Sequence, residues 1–150
     1  MTRSITTFLL LLISIYSCQR PSPSGYSSPN HRYSLMPGNS IKTAKNQNGN
    51  SRTCYVYILP KSDSPIRLKW VTIHRDFPRE WDIFFCDNTG CHMSLPDSGK
   101  LNPVSTKSAE NDLTLGLLVN TNGFTGKGHF ELTLEEIGTS LKDTLSFEVE

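Results

Sequence analysis

From residue 31 onward the chain alternates apolar and polar positions in short runs, with turn formers recurring every ten or so residues. The pattern predicts a first strand over 32–36, stopped by Pro37-Gly38, and a continuation over 40–44 before the polar run 46–50. The strongest signal is 53–59. Cys54, Val56 and Ile58 fall on one face there, and Tyr55, Tyr57 and Leu59 on the other. After Pro60 and the turn at 63–65, alternation resumes over 66–74, with Ile66, Leu68, Trp70 and Thr72 on one side. Residues 81–86 and 91–95 flank a polar turn, and 113–119, 128–134 and 143–149 complete the set.

The connections agree with this reading. Asn120-Thr121-Asn122-Gly123 and Gly126-Lys127-Gly128 tolerate the positive φ that tight reversals need. One stretch, 133–141, places Leu134, Ile137 and Leu141 at helical spacing, but Gly138 and Thr139 make a poor helix. A strand followed by a loop fits better. About seven short strands in so few residues predict an all-β fold, an antiparallel β-sandwich of immunoglobulin-like type. A closed barrel is the alternative that pattern alone separates poorly.

Ahead of the strands the composition changes. Arg3 precedes an apolar stretch over 8–15, which ends at Ile15-Tyr16-Ser17-Cys18. This is the layout of a secretory signal, too short for the ~20 apolar residues of a membrane span. Its close resembles a bacterial lipobox, with a branched residue three before the cysteine and a small one just before it. The resemblance implies a signal peptide over 1–17 and lipid on Cys18. It also implies transfer to an outer membrane, because Gln19 and not aspartate follows; the periplasmic or surface face is left open. Residues 18–30 are rich in Pro and Ser and read as a flexible tether. The remainder, 31–150, suffices for one domain. With 15 basic and 14 acidic residues, the charge gives no footprint for nucleic acid.

Export places the cysteines in an oxidising compartment. Cys86 and Cys91 flank Asp87-Asn88-Thr89-Gly90, a run of turn formers, and opposed positions of a hairpin lie within disulfide reach. Cys54 would then keep its thiol, in its strand. The rival is an inter-sheet bridge from Cys54 beside a core Trp70, but that needs a cysteine on a late strand, which 128–134 does not offer.

Trp70, Pro78, Trp81, Cys86-Asp87 and Cys91 together follow a W…P-x-x-W…C-D-x-x-x-C pattern. It resembles uncharacterised immunoglobulin-like domains of secreted, surface and lipid-anchored Gram-negative bacterial proteins. Gly126-Lys127-Gly128-His129-Phe130 and the 144–149 strand extend the likeness over roughly residues 50–150. The resemblance implies the Cys86–Cys91 bridge and the sandwich. It implies no activity.

Candidate chemistry is sparse. Cys86-x4-Cys91-His92 has two residues too many for a c-type haem attachment. A blue-copper set of His74, Cys91, His92 and Met93 has the right types. Its three consecutive members would point to alternate faces of a strand, however, and a bridge to Cys86 would remove the thiolate. Neither G-x-S-x-G nor H-E-x-x-H occurs, and Glu135-Glu136 on a strand would face apart. His31, His74 and His129 read as surface or packing residues. Trp81 is either a core residue or an exposed platform for a sugar.

The expectation is a non-catalytic, lipid-anchored envelope module, without cofactor, that binds an envelope protein or a glycan. Its candidate contacts are Trp81, Lys100 and Lys107, and its candidate loops are 76–80, 87–90, 96–112 and 120–127. A cupredoxin-like electron carrier and a glycan-binding module using Trp81 are the alternatives.

Overall fold

The computed structural model describes residues 30–38, 40–42, 45–47 and 49–150. Cys18 and the 1–29 segment lie outside them. Among the described residues eleven strands form two sheets. The first holds β1 (Tyr33–Met36), β3 (Lys45–Gln47), β4 (Ser51–Pro60), β6 (Asp82–Asp87), β7 (Gly90–Met93) and β9 (Thr114–Asn120). Its order is β1-β4-β9-β6-β7, with β3 flanking β4 beyond β1. The second holds β2 (Ser40–Lys42), β5 (Leu68–Asp76), β8 (Ser98–Lys100), β10 (Gly128–Glu136) and β11 (Lys142–Val149), in the order β2-β11-β10-β5-β8.

The topology is that of an immunoglobulin-like sandwich. The leading segment pairs with β4 antiparallel as β1, then crosses at Pro37-Gly38 to pair with β11 parallel as β2. The other ladders are antiparallel. Register places Tyr33 opposite Pro60 at one pole, where the chain enters, and Ser51 and Asp82 opposite Asn120 at the other. The 76–82 and 120–128 connections lie at this second pole, away from the entry.

Alternation drives the packing as the sequence predicts. Cys54, Val56 and Ile58 of β4 face inward, and so do the alternate positions Phe130, Leu132 and Leu134 of β10. Between the sheets Trp70 meets Phe85 edge-on at 4.9 Å, and Phe85 meets Phe130 at 5.4 Å. Such pairs add about 1 kcal/mol each beyond burial. Gly99 of β8 is required here. A Cβ on it would lie 2.5 Å from the Trp70 ring, so the edge strand closes over the indole only as glycine.

At the entry pole a polar seam fastens the leading segment. Buried His31 Nδ1 lies 2.7 Å from Asp143 Oδ2, and Arg32 Nε donates to Glu136 Oε1 at 2.6 Å. Glu136 is fully covered. The 133–141 stretch continues β10 as far as Glu136 and then turns through Gly138 at φ 91°. Two elements differ from expectation. The polar 45–47 segment is a strand, paired with 51–53, and the 96–112 connection contains β8 and a 3-10 turn at Glu110–Leu113. No described helix is long and apolar enough to cross a membrane.

Candidate functional site

The Cys-Asp-Asn-Thr-Gly-Cys hairpin is built as a knot. Cys86 and Cys91 are directly opposed across β6 and β7 and are bridged, with Cα atoms 4.0 Å apart. Between them Asp87 turns inward with its carboxylate fully covered. It accepts the Trp70 indole N–H at 2.8 Å, and the Thr89 amide and hydroxyl at 2.7 and 2.6 Å. His92 Nε2 lies 3.2 Å away. Burial acts to raise the Asp87 pKa, but the hydrogen bonds from Thr89 and Trp70 and the neighbouring His92 hold it below the usual carboxylate range. Asn88 reaches outward and exchanges bonds with Asn102, donating to its carbonyl at 3.0 Å and accepting its amide at 2.8 Å. The long 96–112 connection is thereby strapped to the hairpin.

These bonds give the bridge a secondary role. Closing a six-residue loop removes little denatured-state entropy, worth about 2 kcal/mol at most. Replacing Cys86 and Cys91 together by Ser is expected to cost no more than that in chemical denaturation. A larger loss, with disrupted β6–β7 pairing, would show that the bridge holds the hairpin alone. Cys54 is buried and reduced. It lies in the same core as the inward residues Phe130, Leu132 and Leu134 of β10, a strand that carries no cysteine.

The copper set is not assembled. Cys91 is spent in the bridge, His92 is held against Asp87, and Met93 projects into solvent at 72% exposure. His74 lies on the other sheet, with its ring 5.2 Å from His129. Among the described residues no three of His, Cys, Asp and Glu are grouped to hold a metal. Glu135 and Glu136 do face apart, Glu135 toward Lys69 at 2.8 Å and Glu136 toward Arg32.

Trp81 does not form a sugar platform. Only 6% of it is exposed, its indole N–H donates to the Phe124 carbonyl at 3.2 Å, and it packs beside Phe77 and Gly128. Nor does the structure gather the three candidate contacts. Trp81 lies at the pole away from the chain entry. Lys100 ends edge strand β8 opposite Lys69, and Lys107 pairs with Asp63 at 3.0 Å near the entry pole.

What the structure does gather is the outward face of the first sheet. Across its middle the register aligns Tyr55, Gly116, Cys86 and Cys91 in one row and Thr53, Leu118, Phe84 and Met93 in the next. Tyr57 and Met36 extend it toward β1. Tyr55 is 43% exposed, and its ring lies over Gly116, where a Cβ would meet it at 2.9 Å. Charge appears at the margin, with Asp82 at one end and Glu110 beside Tyr57 and Thr114. The outward face of the second sheet is different, carrying Lys69, Glu131, Thr133, Glu135, Thr144 and Ser146 around Val71 and Ile73. Two hollows belong to the apolar face. One, about 280 Å³, lies among Tyr55, Tyr57, Cys86, Thr114 and Gly116, with Asp87 and Glu110 also lining it; the other, about 350 Å³, opens beyond Phe84 and Met93 between Phe77 and Leu95, with Arg75 and Asp82 also lining it.

Antiparallel sheets with one wet face read as strict alternation. Here Tyr55 to Leu59, Phe84-Phe85 and Leu117-Leu118 break it. That signal was present in the sequence, but it becomes a surface only when register places the outward members side by side.

No protein-family model matches the chain, and no curated protein does. Among solved structures it is similar to the N-terminal domain of PorA, at 13% identity and a TM-score of 0.49, over 74% of this chain and 85% of that one. The GAE domain of GGA2p from Saccharomyces cerevisiae matches at 12% identity and a TM-score of 0.40, covering 83% and 94%. A conjugative transposon lipoprotein from Bacteroides eggerthii matches at 12% identity and a TM-score of 0.38, covering 74% and 95%. Likeness at this level carries no argument about what the chain does; its immunoglobulin-like character rests on its own strand order.

Proposed function

We propose that this chain is a non-catalytic binding module of the cell envelope, anchored by lipid on Cys18 and tethered by residues 19–30. Its binding surface is the outward face of the first sheet. The observation that carries this reading is the apolar band from Tyr55 through Leu118 and Phe84 to Met93 on a rigid two-sheet scaffold. Contiguous exposed apolar surface of this kind marks an interaction site on a soluble domain. The anchor would attach near Tyr33, so the tether leaves the face, which lies along the side of the sandwich, unobstructed.

A photo-crosslinking residue at Phe84, in the chain expressed in its own envelope, tests this. Phe84 is half-buried and points outward, so the fold tolerates an aromatic analogue there. The expected result is a discrete covalent adduct with a polypeptide, absent when the same residue replaces Val71 on the other sheet. A face that yields no adduct, or none distinct from Val71, contradicts the reading.

A further inference from the structure

We infer that the pole away from the chain entry carries a second binding site, which takes a single sugar ring with Phe124 as its platform. It is separate from the outward face of the first sheet and does not depend on it. Phe124 lies in the 120–127 loop and is 55% exposed. One exposed ring is ordinary on a protein surface; this one differs in how firmly its backbone is held. Its amide donates to the Thr121 carbonyl at 2.9 Å, and its carbonyl accepts the buried Trp81 indole N–H at 3.2 Å. Asn122 Nδ2 ties the same loop to the Glu80 carbonyl at 2.8 Å and to Asp82 Oδ2 at 3.1 Å. At Gly126 a Cβ would lie 2.7 Å from the Pro78 ring, so the loop closes there with no room for a side chain. The platform stands on main chain that is already ordered, and a ligand stacking on it meets little further entropy cost.

The surroundings select the ligand. Phe124 borders a hollow of about 230 Å³ that is also lined by Asn50, Arg52, Thr121, Thr125 and Glu150. An amide, a guanidinium, threonines and a carboxylate are groups that exchange hydrogen bonds with hydroxyls. A pyranose has an apolar C–H face and a rim of hydroxyls, and it needs both kinds of surface side by side. Other occupants fit less well. Arg52 and Glu150 cancel in charge, so the hollow offers no net attraction to an anion such as phosphate. A protein partner anchors on contiguous apolar surface, and Trp81, the other ring in the hollow, is only 6% exposed. The hollow is also smaller than the ~300–1,000 Å³ of drug-sized sites, which suits one sugar unit. A ligand of about a dozen non-hydrogen atoms at ordinary efficiency binds with a dissociation constant on the order of 1 mM.

Saturation-transfer NMR of the purified whole chain, in a detergent without sugar headgroups, tests this against the methyl glycosides of glucose, galactose, mannose and N-acetylglucosamine. At least one of them should take up saturation at the protons of its apolar face and titrate in the millimolar range. Phe124→Ala, at an exposed position, should weaken that binding at least tenfold without changing the unfolding temperature. Phe124→Trp should retain it, because one flat ring replaces another. Phe124→Leu keeps apolar surface but not a flat face, and should lose it. No transfer to any of the four glycosides overturns the inference, and so does binding that survives Phe124→Ala or Phe124→Leu.

Discussion

Trp70→Ala is expected to lower the stability of the domain by about 4 kcal/mol, the range for deleting a buried tryptophan. Trp70 is fully buried at the crossing of both sheets, against Phe85 and beneath Gly99. Neighbouring rings cannot collapse into the space without breaking their own edge-on contacts. The substitution also strips a donor from the Asp87 carboxylate. Trp70→Phe separates the two contributions. It keeps most of the packing and removes the indole N–H, so it should cost about half as much, near the 1.5–3 kcal/mol of a hydrogen bond to a charged group. Equilibrium denaturation of both variants measures this. A Trp70→Phe variant as stable as the native chain would mean that the indole–carboxylate bond contributes nothing.

Asp87→Asn is the second large effect, expected at about 3 kcal/mol near neutral pH. An amide cannot accept from Trp70 and Thr89 as a covered carboxylate does. The same residue sets a pH dependence. Its folded pKa lies below its unfolded value, with burial opposed and outweighed by the bonds from Thr89 and Trp70 and by His92. Its contribution is therefore fully present above the unfolded carboxylate value near ~3.9 and is lost as the pH falls through the folded one. Denaturation midpoints of the native chain should fall between about pH 5 and pH 2 more steeply than those of Asp87→Asn. Parallel profiles would show that Asp87 is not linked to folding.

Much of the fold was legible because burial imposes period two. The inward set of β4, the edges of β9, β10 and β11, and the opposed Cys86 and Cys91 all follow from alternation and turn chemistry. β3 and β8 were not legible. Lys45-Asn46-Gln47 and Ser98-Gly99-Lys100 lack apolar alternation and are strands because a neighbour offers a ladder, and Gly99 is there to admit Trp70. Glu136 could not be placed either, since its partner Arg32 is 104 residues away. The candidate site was half visible. Tyr55, Tyr57 and Leu59 share one face of their strand by alternation, but neither that this face is the outer one nor its joining to Leu118, Phe84 and Met93 is settled without the sheet order β4-β9-β6-β7. Trp81 stayed between core and platform for the opposite reason. Nothing in Arg79-Glu80-Trp81 announces that Phe77, Gly126 and Gly128 close around the ring.

The claim that the outward face of the first sheet is covered in the native envelope is tested most directly at Met93. Its thioether is 72% exposed in the isolated chain, and oxidation to the sulfoxide follows exposure. Intact envelopes and the purified, diluted chain would be treated with the same low dose of peroxide, and sulfoxide at Met93 quantified by mass spectrometry against half-buried Met36. Met93 should oxidise several-fold more slowly in the envelope than in the dilute chain. Equal rates in the two would mean that nothing rests on this face and would contradict the account.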